Sequence, residues 1–154
     1  MHNITILAVG SLKQKFFKEA AEEYLKRIKS FCKLEIIELK AESFSPKDSL
    51  KVKKIESDRI LEYLNKKKDA HVIVCDESGK QLSSPKLAQY LERINKRIIL
   101  VIGGSLGLTD EVRQKADLVW SFSELTFPHE LARVMLTEQL YRAITLNKEM
   151  NYHN

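Results

Sequence analysis

An α/β fold, with a mainly parallel sheet and helices on both faces, is the architecture this chain predicts. Five short β-type runs alternate with helical segments, the pattern of strand–helix–strand crossovers. The fourth run, Ile98-Ile99-Leu100-Val101-Ile102, is uninterrupted and apolar, as suits a strand covered on both faces. Glycines and hydroxyl residues gather just after the later runs, where open parallel sheets bind ligands. The chain has 154 residues. That length suits about one domain, so residues 1–154 are read as one.

The elements follow in order. Ile4 to Val9 is a β-type run stopped by Gly10. A helix over about Gln14 to Ser30 carries Phe16, Phe17, Ala20, Ala21, Tyr24, Leu25 and Ile28 at helical spacing. A second strand runs near Leu34 to Leu39, then a loop from Lys40 to Asp48 with Pro46. A charged helix with Ile55, Ile60, Leu61 and Leu64 as its buried stripe ends before Lys66-Lys67-Lys68, where cations complement a helix C-terminus. His71 to Cys75 reads as the third strand and Asp76 to Ser83 as a loop with a Ser78-Gly79-Lys80 turn. Ser84 followed by Pro85 reads as an N-cap and first helical residue.

After the fourth strand come Gly103-Gly104-Ser105-Leu106-Gly107 and a short helix from Thr109 to Ala116. Leu118-Val119-Trp120 is a short fifth strand, and Ser121 to Pro128 a loop. The last helix, about His129 to Leu146, is apolar on more than one face, so it is either central or buried at a subunit contact.

Composition excludes several classes. Hydrophobic residues at 44% and charged residues at 31% are globular, not disordered or collagen-like. A net charge of +5 and a pI near 9.1 favour an anionic partner. Two cysteines, Cys32 and Cys75, make neither a disulfide framework nor a four-ligand zinc site. No run of about 18 apolar residues predicts a membrane span, and Ile4 to Val9 lacks the basic leader of a signal peptide. The expected compartment is the cytoplasm.

Three loops can carry chemistry: those after Cys75, Ile102 and Trp120. Glycine lets a ligand approach the backbone closely, although a tight strand-to-helix connection would use Gly103 to Gly107 equally well. No Lys-Ser or Lys-Thr pair follows them, so this is not a P-loop. Asp110-Glu111 open the next helix and would repel a phosphate. An uncharged or cationic nucleoside fits better. In Ser121 to His129 two aromatics mix with three hydroxyl residues. Ser121 and Glu124 have capping-box spacing, yet Phe122 and Phe127 in a loop point to a pocket.

His2 and His71 read as structural, and His129 as a first-turn residue bonding a carbonyl. His153 lies in a terminal segment, where disorder is the ordinary state. No His-Glu-x-x-His or similar spacing occurs, so no metal is assigned. No Gly-x-Ser-x-Gly elbow supports a serine hydrolase.

The motifs VIGGSLGL, SFSELTFPHELARVMLTEQLYRA and terminal NYHN, in this order, resemble the ribosomal RNA large-subunit methyltransferase H family of the SPOUT class. The resemblance spans essentially the whole chain and is most specific from Ile102 to His153. It implies a C-terminal trefoil knot, which ordinary chain-topology rules would argue against. It implies methyl transfer from S-adenosylmethionine to N3 of a pseudouridine in 23S ribosomal RNA, in the large subunit or the assembled ribosome, by a homodimer. By position it puts cofactor contacts on Cys75, Gly103, Phe122, Ser123, Glu124, Leu125, Thr126 and Phe127.

The expected reaction is an in-line displacement whose main demand is alignment. N3 must lose a proton, and a histidine suits that task. His153 is the first choice of base and His129 the second. Tyr152 would orient the base, and Arg142 would stabilise charge on its carbonyl oxygens. Lys13, Lys15, Lys18, Lys66 to Lys68, Arg133 and Arg142 are candidates for the RNA backbone, against a plain solvated helix face, which is the better reading for Lys66 to Lys68. A non-enzymatic RNA-binding module would explain the basic helices but not the two loops. A doubly wound nucleotide enzyme would need a glycine fingerprint after the first strand, where only Gly10-Ser11 stands.

Overall fold

The computed structural model describes residues 2–149. In chain order the elements are β1 (Asn3–Val9), α1 (Lys15–Ile28), β2 (Lys33–Leu39), α2 (Ser49–Asn65), β3 (His71–Gln81), α3 (Ser84–Glu92), β4 (Ile98–Ile102), α4 (Asp110–Gln114), β5 (Leu118–Ser121) and α5 (His129–Asn147). A 3-10 turn over Pro46–Asp48 precedes α2. The strands form one sheet in the order β2-β1-β4-β3-β5, and every pairing is parallel.

Alternation along the strands sorts the core into two layers. Ile4, Ile6, Ile73, Leu100 and Ile102 face α1, α3 and α5, meeting Ile28, Leu87, Leu91, Leu136 and Leu140. Leu7, Val9, Val72, Val74, Ile99 and Val101 face the other side, meeting Ile60 and Leu64 of α2 and Val112 of α4. β4 lies between β1 and β3 and all five of its residues are buried, which its unbroken apolar run demands. α5 packs against both α1 and α3. Its buried Leu136, Leu140, Tyr141, Ala143 and Ile144 make it the central helix of that layer.

Several expectations are corrected. β3 does not stop at Cys75. It pairs with β5 through Cys75, loops out four residues and resumes at Lys80 opposite Trp120. Gly79 makes the resumption possible, because a Cβ there would lie 2.5 Å from the Val119 carbonyl oxygen. The cap of α3 is Ser83, whose hydroxyl accepts the Lys86 N–H at 3.4 Å; Ser84 is already helical and donates to Gln139 at 2.7 Å. Ser121 belongs to β5, and its hydroxyl donates to the Ser123 carbonyl at 2.8 Å rather than forming a capping box. Phe16 is 61% exposed, in tilted contact with Phe17 rather than buried. Ile55 and Leu61 are only half-buried, and α2 instead buries Val52, Glu56 and Ser57 with Ile60 and Leu64.

The strand order positions the loops. β4 crosses over β3 through α4 to reach β5, and α5 then returns between α1 and α3. This path is consistent with the knotted C-terminal passage implied by the resemblance.

Candidate active site

Register brings the three expected loops together. Cys75 of β3 lies level with Ile102 of β4 on one side and Trp120 of β5 on the other. β4 and β5 end here and β3 breaks into its bulge beside them, and the three segments leaving this edge enclose a cavity of about 620 Å³.

The first wall is the glycine loop. It doubles back through an antiparallel bridge between Gly104 and Gly107, and Gly107 takes a φ of +74° that L side chains rarely adopt. A Cβ on Gly103 would lie 2.9 Å from the Leu108 side chain, so any larger residue here pushes Leu108 aside. α2 braces the loop from behind. Ser57 Oγ accepts the Thr109 N–H at 3.2 Å. Buried Glu56 accepts the Glu42 N–H at 3.0 Å, and its second oxygen would be 3.5 Å from a Cβ on Gly104.

The second wall is the Ser121–Pro128 segment. Ser123 Oγ accepts the Leu125 N–H at 3.1 Å, turning the loop. Phe122 packs edge-on against Trp120, with centroids 4.7 Å apart. Thr126 donates to Glu77 at 3.0 Å, which fastens this loop to the bulge in β3 across the cavity mouth. The Trp120 indole N–H is buried with no partner among the described residues.

The third wall is that bulge, and it is acidic. Asp76 accepts the Ser78 N–H at 3.0 Å and hydroxyl at 2.5 Å, and Arg113 at 3.1 Å. Burial opposes its ionisation, but Ser78 and the Arg113 guanidinium together outweigh that and hold its carboxyl below the ordinary value of 3.8. Arg113 also bonds Asp110 and donates to the Leu108 carbonyl at 2.8 Å. Its own pKa is raised chiefly by the Asp110 hydrogen bond. Burial, reinforced by the neighbouring Asp76 charge, pushes the Cys75 thiol far above its ordinary range. Cys75 is therefore a neutral wall residue, not a nucleophile.

Of the expected site residues, Cys75, Gly103, Phe122, Ser123, Leu125, Thr126, Phe127 and His129 line the cavity. Glu124 is exposed and is not among the lining residues. His129 does not bond a carbonyl; its Nδ1 is 3.2 Å from the Ser105 hydroxyl, across the gap between the two loops. Arg142 lies on α5 away from the cavity lining and pairs with Glu138 at 2.5 Å. Tyr152 and His153 lie outside the described residues. Arg133 is held by Glu38 at 2.6 Å and the Gly10 carbonyl at 3.0 Å, which makes it a structural cation.

Sequence reading missed the contributions of Lys53, Asp76, Glu77 and Arg113 to the lining. The Asp76-x-Ser78 spacing, which makes a side-chain-to-backbone turn, was the available signal for the bulge. Among the described residues no group of three His, Cys, Asp or Glu stands ready to hold a metal ion. No described helix is long and apolar enough to cross a membrane.

Known proteins match this arrangement. The family model described as "Predicted SPOUT methyltransferase" matches residues 2–153. Ribosomal RNA large subunit methyltransferase H 1 of Clostridium perfringens is 46% identical over 159 aligned positions, covering 98% of this chain and 99% of that protein. The methyltransferase H proteins of Clostridium novyi and Caldicellulosiruptor saccharolyticus are 45% and 43% identical, covering 98% and 97% of this chain and 99% of each relative. Two solved structures share the fold at 13% identity. A probable methylase family protein from Haemophilus influenzae has a TM-score of 0.62, over 99% of this chain and 71% of that one. The TrmH/SpoU tRNA modifying enzyme of A. aeolicus has 0.54, over 97% and 79%. With a family model spanning nearly its whole length and relatives above 40% identity end to end, this chain belongs to the SPOUT methyltransferase family.

Proposed function

We propose that this chain transfers a methyl group from S-adenosylmethionine to N3 of a pseudouridine in 23S ribosomal RNA. It would act in the cytoplasm, as a homodimer of single-domain protomers, on the large subunit or the assembled ribosome. The observation that carries the reading is the cavity built where the β3 bulge meets the ends of β4 and β5 in register.

Its residues fit the donor. S-adenosylmethionine has a flat adenine, a cationic sulfonium and no phosphate. Phe122, Phe127 and the Trp120 edge offer apolar surface for a ring, and the orphaned Trp120 N–H suits a ligand with acceptor atoms. Three carboxylates, Asp76, Glu77 and Asp110, against two cations, Arg113 and Lys53, tilt the lining toward a cation rather than a phosphate. Cys75, Gly103 and residues 122–127 would hold the donor, with Glu124 contributing backbone. When bound, the donor supplies an electrophilic methyl carbon.

The chain's own residues position and deprotonate the base. His129, on the cavity wall beside Ser105, would be the second choice of proton acceptor. His153 remains the first choice for that role, with Tyr152 orienting the base. Both would come from the tail of the opposing protomer. Arg142, which pairs with Glu138 and does not line this protomer's cavity, would have to reach the base across the proposed dimer contact to stabilise charge on its carbonyl oxygens.

The test is incubation with labelled donor and ribosomes lacking the modification, followed by mapping of the labelled nucleotide. Label on N3 of one pseudouridine of 23S RNA is expected. Label on a different atom or RNA, or none, would reject the reading. In His153→Ala, methylation should be lost while calorimetric donor affinity is kept; wild-type rates would remove His153 as the base.

A further inference from the structure

S-adenosylmethionine also carries an α-carboxylate, and the lining's own carboxylates, Asp76, Glu77 and Asp110, offer it no partner. That anion needs a cation, and the described lining contains two candidates besides the histidine: Arg113 and Lys53.

Arg113 is committed. Its guanidinium bonds Asp76 at 3.1 Å, Asp110, and the Leu108 carbonyl at 2.8 Å. Recruiting it would strip the half-buried Asp76 carboxylate of its counter-charge. Lys53 is half-buried, and among the described residues it makes no hydrogen bond or ion pair. Its neighbour Glu56 does not claim it, since the Glu56 carboxylate accepts the Glu42 N–H and faces Gly104.

Helix geometry sends Lys53 toward the donor site. Positions 53, 56 and 57 share one face of α2 at i, i+3 and i+4. Glu56 and Ser57 on that face already touch the glycine loop, at Gly104 and Thr109. Lys53 lies one turn earlier on the same face and reaches the cavity beside that loop. A lysine side chain keeps its stem against apolar surface and delivers its ammonium at the tip.

We propose that Lys53 binds the α-carboxylate of the donor's methionine moiety. This rests on the methyl-donor reading above and adds a recognition residue from α2, outside the loops that form the rest of the site. Lys53 then distinguishes donors bearing the amino-acid tail from those reduced to the nucleoside thioether.

The test compares two ligands by calorimetry on the full chain: S-adenosylmethionine, and 5′-methylthioadenosine, which keeps the adenosine and sulfur but lacks the amino-acid tail. Loss of one charge-assisted hydrogen bond corresponds to about a tenfold change in affinity. Lys53→Met should weaken S-adenosylmethionine by about that factor and leave methylthioadenosine within about twofold, while Lys53→Arg keeps most of the affinity. Equal weakening of both ligands would mean a structural effect and overturn the assignment. Unchanged S-adenosylmethionine affinity with weaker ribosomal RNA binding would overturn it too, moving Lys53 to the RNA backbone. If the unmutated chain binds neither ligand, the methyl-donor reading itself fails, and this inference with it.

Discussion

Asp76 and Arg113 show how single side chains hold the cavity in shape. Their ion pair joins the β3 bulge to α4, with the two side chains 12% and 26% exposed. Arg113→Met leaves the Asp76 carboxylate its Ser78 hydrogen bonds but no counter-charge, and should cost about 1–3 kcal/mol at neutral pH in urea denaturation. The pH dependence has a definite sign. The folded pKa of Asp76 lies below its unfolded value, so the unfolded state binds more protons in acid. The stabilisation is complete above the unfolded value and is lost as pH falls through the lower folded one. Arg113→Met should shrink this acid-labile part; an acid profile identical to the parent's would show that the pair contributes nothing.

Gly103 is a second residue-scale case. Valine there must displace Leu108, which is 2% exposed. Overpacking of this kind costs about 1–3 kcal/mol, and here the displacement falls on the cavity wall. Gly103→Val should abolish calorimetric binding of S-adenosylmethionine while the circular dichroism of the sheet persists. Parental affinity in that variant would show that the loop is not part of the binding site.

At the scale of elements, α1 owes its start to a residue distant in sequence. Gln14 precedes it with no side-chain cap, and its first turn carries no acid. The Glu130 carboxylate from α5 supplies the acceptor, taking the N–H of Lys13 and of Gln14, the latter at 3.1 Å. Glu130→Ala should therefore destabilise the protein by about 0.5–2 kcal/mol. Urea denaturation reads it directly, and an unchanged midpoint would mean that water caps the helix equally well.

Such long-range contacts mark where sequence reading ends. Ile98 to Ile102 was legible as a central strand because burial on both faces leaves no polar position. The helix and strand identities were legible from periodicity, and the glycine and 121–128 loops from residues that ordinary turns do not need. The continuation of β3 past Asp76 was not, because Ser78-Gly79-Lys80 is turn chemistry locally. Its strand character comes from β5, against which Gly79 packs. Lys53, Glu56 and Ser57 escaped notice because a charged helix looks the same whether its polar face meets water or a loop. Arg133 looks like a free RNA contact in the sequence because Glu38, which ties it down, is distant along the chain.

Over the whole molecule, strand order does the assembling. Placing β4 between β1 and β3, and β5 outside β3, makes β3, β4 and β5 neighbours although helices separate them in sequence. Parallel pairing runs all three the same way, so the acidic bulge within β3, the glycine loop after β4 and the aromatic loop after β5 converge on one cavity. α5, central in its layer, anchors the last of these loops through His129 and carries Arg142. The most direct test is a crystal structure of the full chain grown with S-adenosylmethionine. The adenosine should lie between residues 103–107 and 122–127, with the sulfonium beside the acidic wall. Density for the donor at any other place on the protein, with this cleft filled by side chains, would contradict the account.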